Sequence, residues 1–340
     1  MPPALTLAAR PLYNVPVLIA HIRHADGRFE TTESLIEAAR VLRETGTQLW
    51  VDLEAPDEWT LMLLGEAFSF HPLAIEDCIH GEQRSRIDPY EGHIFMVIYG
   101  PVLSAEHSFV GSRELAIFCS PQYLVTIHHQ EMPSIQTIKA RCCRDPENVL
   151  GRGMDHLLHT VVDGVIDHYQ PLLDRMETEV VHMEEAALSE PEADLLERIS
   201  MLKTELVQVR RYLIPLRESI GQLARGEYGF IGKNIRPYFR DVLDHLVRTT
   251  EMIDLYRELV LGARDVYMSS LSQRTNETMK TLTIFATMML PLTLITGIYG
   301  MNFERLWPPS DNPFGFWIVI GLMTMLSAML LFFFRRWRWL

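Results

Sequence analysis

The sequence predicts an α/β domain that leads into long helices and ends in two membrane-crossing helices. Three observations carry this reading. Up to about residue 145, short segments rich in β-branched and aromatic residues alternate with stretches of helical periodicity. From about residue 148 the signal is mainly helical. After Lys280 charge nearly vanishes, leaving uncharged runs at 281–303 and 314–334. A helix needs about 20 apolar residues to cross a hydrocarbon core of roughly 30 Å. Backbone polar groups cannot stay unsatisfied in lipid, so both runs are read as helical spans.

In the first domain, residues 1–145, strands are expected at 17–22, 48–53, 93–102, 114–119 and 123–128, with helices at 34–44 and 58–68. Residues 146–235 read as an antiparallel hairpin of long helices. Its first helix runs to about 188, and Ser189 with Glu192 fits a capping box opening the second. Pro171 and Pro215 should kink any helix that contains them. The polar faces near the turn are acidic, with Glu177, Glu179, Glu184, Glu185, Glu190, Glu192 and Asp194, and suit a solvated hairpin. After a break at 226–234, Pro237 serves as a first-turn proline. One helix of ~95 Å is then expected from about 236 to 299, at 1.5 Å per residue. It comprises a stalk, 236–280, and a first span, 281–301. An outer loop (302–313), a second span (314–334) and a basic tail (335–340) complete the chain.

Charge sets the topology and excludes some partners. A net charge of −13 argues against a nucleic-acid partner, which calls for basic patches. Met1 to Arg10 lacks a charged start followed by an apolar stretch, so the N-terminal part is expected in the cytoplasm. Arg335, Arg336 and Arg338 follow the second span, which places the tail there too and leaves the loop outside. The four cysteines form no C-x-x-C pair and read as reduced thiols.

Along the first span, Asn276, Met279, Leu282, Ala286, Leu290, Thr293 and Gly297 recur at steps of three and four, on one helix face. The face is polar, then apolar, then polar again. Such a stripe suits a water-filled path or ordinary packing through small and hydroxyl residues; periodicity alone does not choose. Asp155, His156, His159 and Asp163 have residue types that suit zinc, but spacing does not show that they converge. His128 and His129, at a strand end, read as ordinary surface. No phosphate-binding glycine loop, nucleophile elbow or metalloprotease helix is present, so no enzyme site is expected.

The span ends in Tyr299-Gly300-Met301-Asn302-Phe303. A Gly-Met-Asn tripeptide at the outer end of the first of two C-terminal spans, after a long helix, resembles the CorA family of divalent-cation channels. Thr275-Asn276-Glu277, Leu290-Pro291-Leu292-Thr293, Trp50-Val51-Asp52-Leu53, the stretch from His71-Pro72-Leu73 to Glu76-Asp77, and Pro237-Tyr238-Phe239-Arg240-Asp241-Val242 are similar to the family as well. The resemblance implies a funnel-shaped homopentamer in the cell membrane, embedded in lipid, with both termini cytoplasmic. It implies a pore lined by the first spans, with Gly300, Met301 and Asn302 at the outer mouth. Thr293 would face the hydrated ion, Met279 and Leu282 would form a constriction, and Lys280, Arg335, Arg336 and Arg338 a basic ring. Mg2+ would be both transported and regulatory, with Co2+ and Ni2+ as further cargo and no organic cofactor. Asp77 and Asp241 would meet across a subunit boundary, with Glu76 and Asp163 as second-site ligands. After Phe303-Glu304 the sequence departs from the family pattern, with Leu306-Trp307-Pro308-Pro309-Ser310-Asp311 in place of Met-Pro-Glu. Zinc transport within the superfamily, and a membrane-bound cation sensor that does not conduct, are the alternatives.

Overall fold

The computed structural model describes residues 17–81, 84–105, 108–188, 194–301, 307–308, 313–337 and 339. The chain divides into two compact units, one of residues 1–186 and 192–262, the other of 187–191 and 263–340.

Among the described residues the first unit is built on seven strands: β1 (Val17–Arg23), β2 (Phe29–Thr32), β3 (Gln48–Glu54), β4 (Arg86–Tyr90), β5 (His93–Leu103), β6 (Phe109–Cys119) and β7 (Tyr123–His128). Their order is β2-β1-β3-β7-β6-β5-β4. The central β3–β7 pair is parallel, with Asp52 opposite Thr126; the other pairs are antiparallel. A parallel pair needs a long crossover, and α2 (Glu58–Phe68), α3 (Pro72–His80) and β4 to β6 supply it. Central strands covered on both faces read as continuous apolar runs, and β3 and β7 are buried along nearly their whole length.

Side chains alternate between the two sheet faces. Leu49, Val51, Leu53, Phe95, Val97, Phe118 and Val125 join one core cluster with α1 (Leu35–Val41), α2 and α3. On the opposite face Met96, Ile98, Ile117 and Leu124 are buried, and α4 (Pro133–Arg144), α5 (Pro146–Val149) and α6 (Met154–Asp167) follow β7 in the chain. Local chemistry fixes the helix starts. Ser34 and Asp57 accept from Glu37 N and Thr60 N, and His71 Nδ1 accepts from Leu73 N at 3.2 Å. Pro72 and Pro133 sit in first turns, where a missing N–H costs nothing.

The single helix expected up to 188 is three elements: α5, α6 and α7 (Gln170–Leu188). Gly153, at φ +108°, opens α6 in a conformation open to glycine. Pro171 starts α7 instead of kinking a longer helix. Helix α8 (Leu195–Arg225) carries Pro215 in its interior. It runs antiparallel to α7, since Arg175 pairs with Glu205 while Arg198 reaches back to Glu179 at 3.2 Å. Leu202, Leu206, Val209, Leu213, Leu216 and Ile220 give α8 a buried stripe at steps of three and four. The expected capping box at 189–192 lies outside the described residues. Helix α9 (Arg236–Tyr299) is continuous over 64 residues with Pro237 in its first turn. Its buried positions (Phe239, Val242, Leu246, Ile253, Val260) end at Ala263, and Arg210 holds Asp254 at 2.7 Å.

The second unit holds the rest of α9 and α10 (Gly315–Arg336). Both helices are long and apolar enough to cross a membrane.

Candidate functional site

In the second unit, every member of the stripe anticipated on α9 (Asn276, Met279, Leu282, Ala286, Leu290, Thr293, Gly297) is exposed. Ile284, Met288, Leu292 and Ile295 are half-buried at steps of three and four on a different face. The helix therefore has an inner and an outer side, and the stripe lies on the outer one. Leu290, Thr293, Gly297 and Met301 line a shallow, mostly apolar groove there. A second groove is lined by polar residues, among them Asn276, Glu277 and Lys280. The Thr293 hydroxyl donates back to Met289 O at 2.9 Å, which leaves its oxygen lone pairs directed away from the backbone.

Gly300 N bonds Thr296 O at 2.9 Å and Met301 N bonds Ile298 O at 3.2 Å, closing the helix by one last turn. A Cβ at Gly300 would stand 3.2 Å from Thr296 O, so a side chain there is crowded. The Tyr299 hydroxyl donates to Trp307 O at 2.5 Å and ties the helix end to the chain that follows. Asn302 and Arg338 lie outside the described residues. Arg335 and Arg336 occupy the last turn of α10, where cations complement the helix dipole.

The anticipated acids belong to the first unit. Asp77, on α3, is ion-paired with Arg86, whose Nε also bonds Asp88 at 2.6 Å. Glu76 is exposed on α3 and Asp241 on α9. Asp163 is half-buried on α6. Burial first, then the charges of Asp167 and Asp241, push its carboxyl above the ordinary range, while His159 and His245 pull it down. Asp163 and Asp241 thus share one electrostatic neighbourhood. His159 is lowered by burial and His156, against Asp163 and Asp241, and its ring packs edge-on to Phe239. Asp155 is occupied elsewhere, accepting from Gly232 N at 3.0 Å. Among the described residues no group of three or more His, Cys, Asp or Glu side chains could hold a metal within one chain.

His128 corrects the surface reading given to it. It is 1% exposed and belongs to a buried polar network with Asp52, Thr126 and Lys139. Asp52, at 0% exposure, pairs with Lys139, contacts His128 Nε2 at 3.3 Å and accepts from the Thr126 hydroxyl at 2.5 Å. Trp50 Nε1 donates to Thr126 Oγ1 at 3.1 Å. Burial opposes the charge on Asp52, yet bonds to His128 and Lys139 hold its carboxyl below the ordinary value; the same bond raises His128 against burial. The signal was visible: a lone Asp inside Trp50-Val51-Asp52-Leu53 must find a partner if that strand is central.

The sequence profile of the family described as "CorA-like Mg2+ transporter protein" matches residues 46–336. The cobalt/magnesium transport protein CorA of Thermotoga maritima is 31% identical over 313 residues, covering 92% of this chain and 88% of its own. The putative metal ion transporter YfjQ of Bacillus subtilis is 33% identical over 290 residues, 85% of this chain and 89% of its own. Among solved structures, the complete CorA magnesium transporter from Methanocaldococcus jannaschii shares the fold with a TM-score of 0.80 at 24% identity, over 97% of this chain and 100% of that one. With a profile match over most of its length and two apolar C-terminal helices, this chain belongs to the CorA family of divalent-cation transporters and is not an enzyme.

Proposed function

We propose that the chain forms a homopentameric channel in the cell membrane that admits Mg2+, with Co2+ and Ni2+ as further cargo, and that cytoplasmic Mg2+ closes it. The observation that carries this is the exposed stripe of α9, which runs from Asn276 through Met279 and Leu282 to Thr293 and Gly297, and which the sequence follows with Gly300-Met301-Asn302. In a ring, five such stripes face one axis. Magnesium dehydrates reluctantly, so a mouth of neutral Asn302 oxygens reads its water shell. Neutral ligands also release the ion, as conduction requires. Thr293 supplies hydroxyl oxygens farther in. Met279 and Leu282 form an apolar neck that closes by dewetting. Lys280, Arg335, Arg336 and Arg338 set the cytoplasmic side of both spans, with both termini inside and the loop near Pro308 outside.

Regulation rests on Asp77 and Asp241, with Glu76 and Asp163 as a second set. Asp163 already sits among like charges. A divalent ion shared between neighbouring copies would relieve such repulsion and tighten the ring, and Asp77 would exchange Arg86 for the metal. Uptake into liposomes containing only this protein, with Mg2+, Co2+ and Zn2+ offered in turn, tests the proposal. Uptake of Mg2+ and Co2+ is expected. Uptake of Zn2+ alone makes it a zinc transporter of the same superfamily, the competing reading. Absence of flux for all three makes it a sensor.

A further inference from the structure

Between the end of α3, strands β5 and β6 and helix α8, the first unit contains a cavity of about 490 Å³. Two arginines line it, Arg84 from the segment after α3 and Arg211 from α8. Their sequence neighbours are held: Arg86 by Asp77 and Asp88, and Arg210 by Asp254. Arg84 and Arg211 have no hydrogen-bond or ion-pair partner among the described residues. Ser85, also on the wall, is only 6% exposed, and its Oγ has no hydrogen-bond partner. A buried hydroxyl without a partner is costly, so the site is short of an acceptor.

One carboxylate, Glu114 of β6, opposes an anion here. It is engaged by the Tyr99 hydroxyl, which donates to its Oε2 at 2.6 Å. Burial and then Glu114 itself push the Tyr99 phenol far up, so it keeps its proton and adds no negative charge. Two guanidiniums against one carboxylate leave the lining net positive.

We propose that this cavity binds a small phosphate-bearing anion. Two guanidinium forks together with the Ser85 and Ser112 hydroxyls present more donors than the two oxygens of a carboxylate can accept, whereas a phosphate offers at least three. The volume falls in the usual range of small-molecule sites, roughly 300–1,000 Å³, and exceeds what inorganic phosphate alone would fill. Tyr212, half-buried with its ring centroid 5.0 Å from that of Tyr99, supplies an aromatic wall for the remainder.

The site involves none of the proposed pore or acid residues, and binding is read without ion flux, so its failure and a failure of conduction are separate results. The experiment is calorimetric titration of the full-length protein in detergent, without divalent ions, using inorganic phosphate and adenosine triphosphate as probes. The same titrations are run on Arg84→Gln and Arg211→Gln. Both side chains are exposed, so the folded protein should persist, as thermal unfolding checks. Saturable binding is expected, weakened by about tenfold or more in each variant, as loss of a charge-assisted contact implies. The two probes separate free phosphate from a phosphorylated small molecule as the source, and loss of either in the variants supports the site. Absence of saturation by both probes up to about 10 mM overturns the proposal, as does equal affinity in wild type and both variants.

Discussion

Replacing Asp52 with Asn removes a charge and little volume from the middle of the sheet. The side chain is fully buried and faces Lys139 and His128, themselves 7% and 1% exposed. The substitution leaves two buried basic groups without their counter-charge. Removing one partner of a buried pair typically costs about 3–5 kcal/mol, a large share of the roughly 5–15 kcal/mol that stabilises a domain. At roughly 2–4 °C per kcal/mol for a unit of this size, the apparent melting temperature should fall by roughly 6–20 °C. Far-ultraviolet circular dichroism of the full-length protein reads the transition, and the fluorescence of Trp50, which donates to Thr126 within the network, contributes to the signal of six tryptophans. The pH dependence has a definite sign. The folded-state pKa of His128 lies above its ordinary 6.5 because of Asp52, so this contribution is complete below 6.5 and is lost as pH rises through the folded value. Asp52 is depressed, so its contribution holds above the ordinary carboxylate pKa and fades only in acid, as pH falls through the folded value. His21 is lowered by burial and then by Lys139, with Asp52 opposing, and disfavours the folded state as pH drops below 6.5. Its burial acts in both proteins and largely cancels in their difference. The gap between wild type and Asp52→Asn should therefore be widest between the ordinary carboxylate range and pH 6.5 and narrow as pH rises through the folded value of His128, with the Asp52–Lys139 ion pair keeping it above zero. A drop under about 2 °C, or a gap that widens with pH, would refute the reasoning.

Three further outcomes are expected. Replacing both Asp77 and Asp241 with Asn should raise the internal Mg2+ needed for closure while leaving the open conductance unchanged; patch recording with controlled Mg2+ reads this, and an unchanged closing concentration would remove these acids as the sensor. Coupling of about 1–3 kcal/mol per site corresponds to a shift of about 5–150-fold. In a cysteine-free background, an impermeant thiol reagent on intact cells should label a cysteine at position 310 and not one at 30 or 340; the reverse pattern would invert the topology. Leu213→Ala, in the fully buried stripe of α8, should cost about 2–5 kcal/mol, and wild-type thermal stability would show that the stripe contributes no packing.

Much of this architecture is legible in the residues because the signals are local. The uncharged runs, the Pro237 start and the helical period of α2 and α9 need no tertiary context. Strands β3, β5, β6 and β7 announce themselves through runs of Val, Ile, Phe and Tyr. Strands β2 and β4 do not, since Phe-Glu-Thr-Thr and Arg-Ile-Asp-Pro-Tyr are short edge sequences whose pairing is set by β1 and β5. Pro89 is tolerable because β4 is an edge strand. Helices α3 and α4 begin at prolines that also suit a loop. The Asp52–His128–Lys139 network joins residues 76 and 87 positions apart, and only the parallel pairing of β3 with β7 brings the first two together. On α9 the stripe was visible as periodicity, but its exposure distinguishes it from the half-buried face that carries Met288 and Ile295.

The proposed ion path follows the α9 stripe to the Gly300-Met301-Asn302 tripeptide. Its most direct test is Mg2+ uptake by liposomes reconstituted with Asn302→Ala beside wild type, with oligomer size measured on a column in parallel. An oligomer of unchanged size and no uptake above protein-free liposomes are expected. Uptake at the wild-type rate from an intact oligomer would contradict the proposed path.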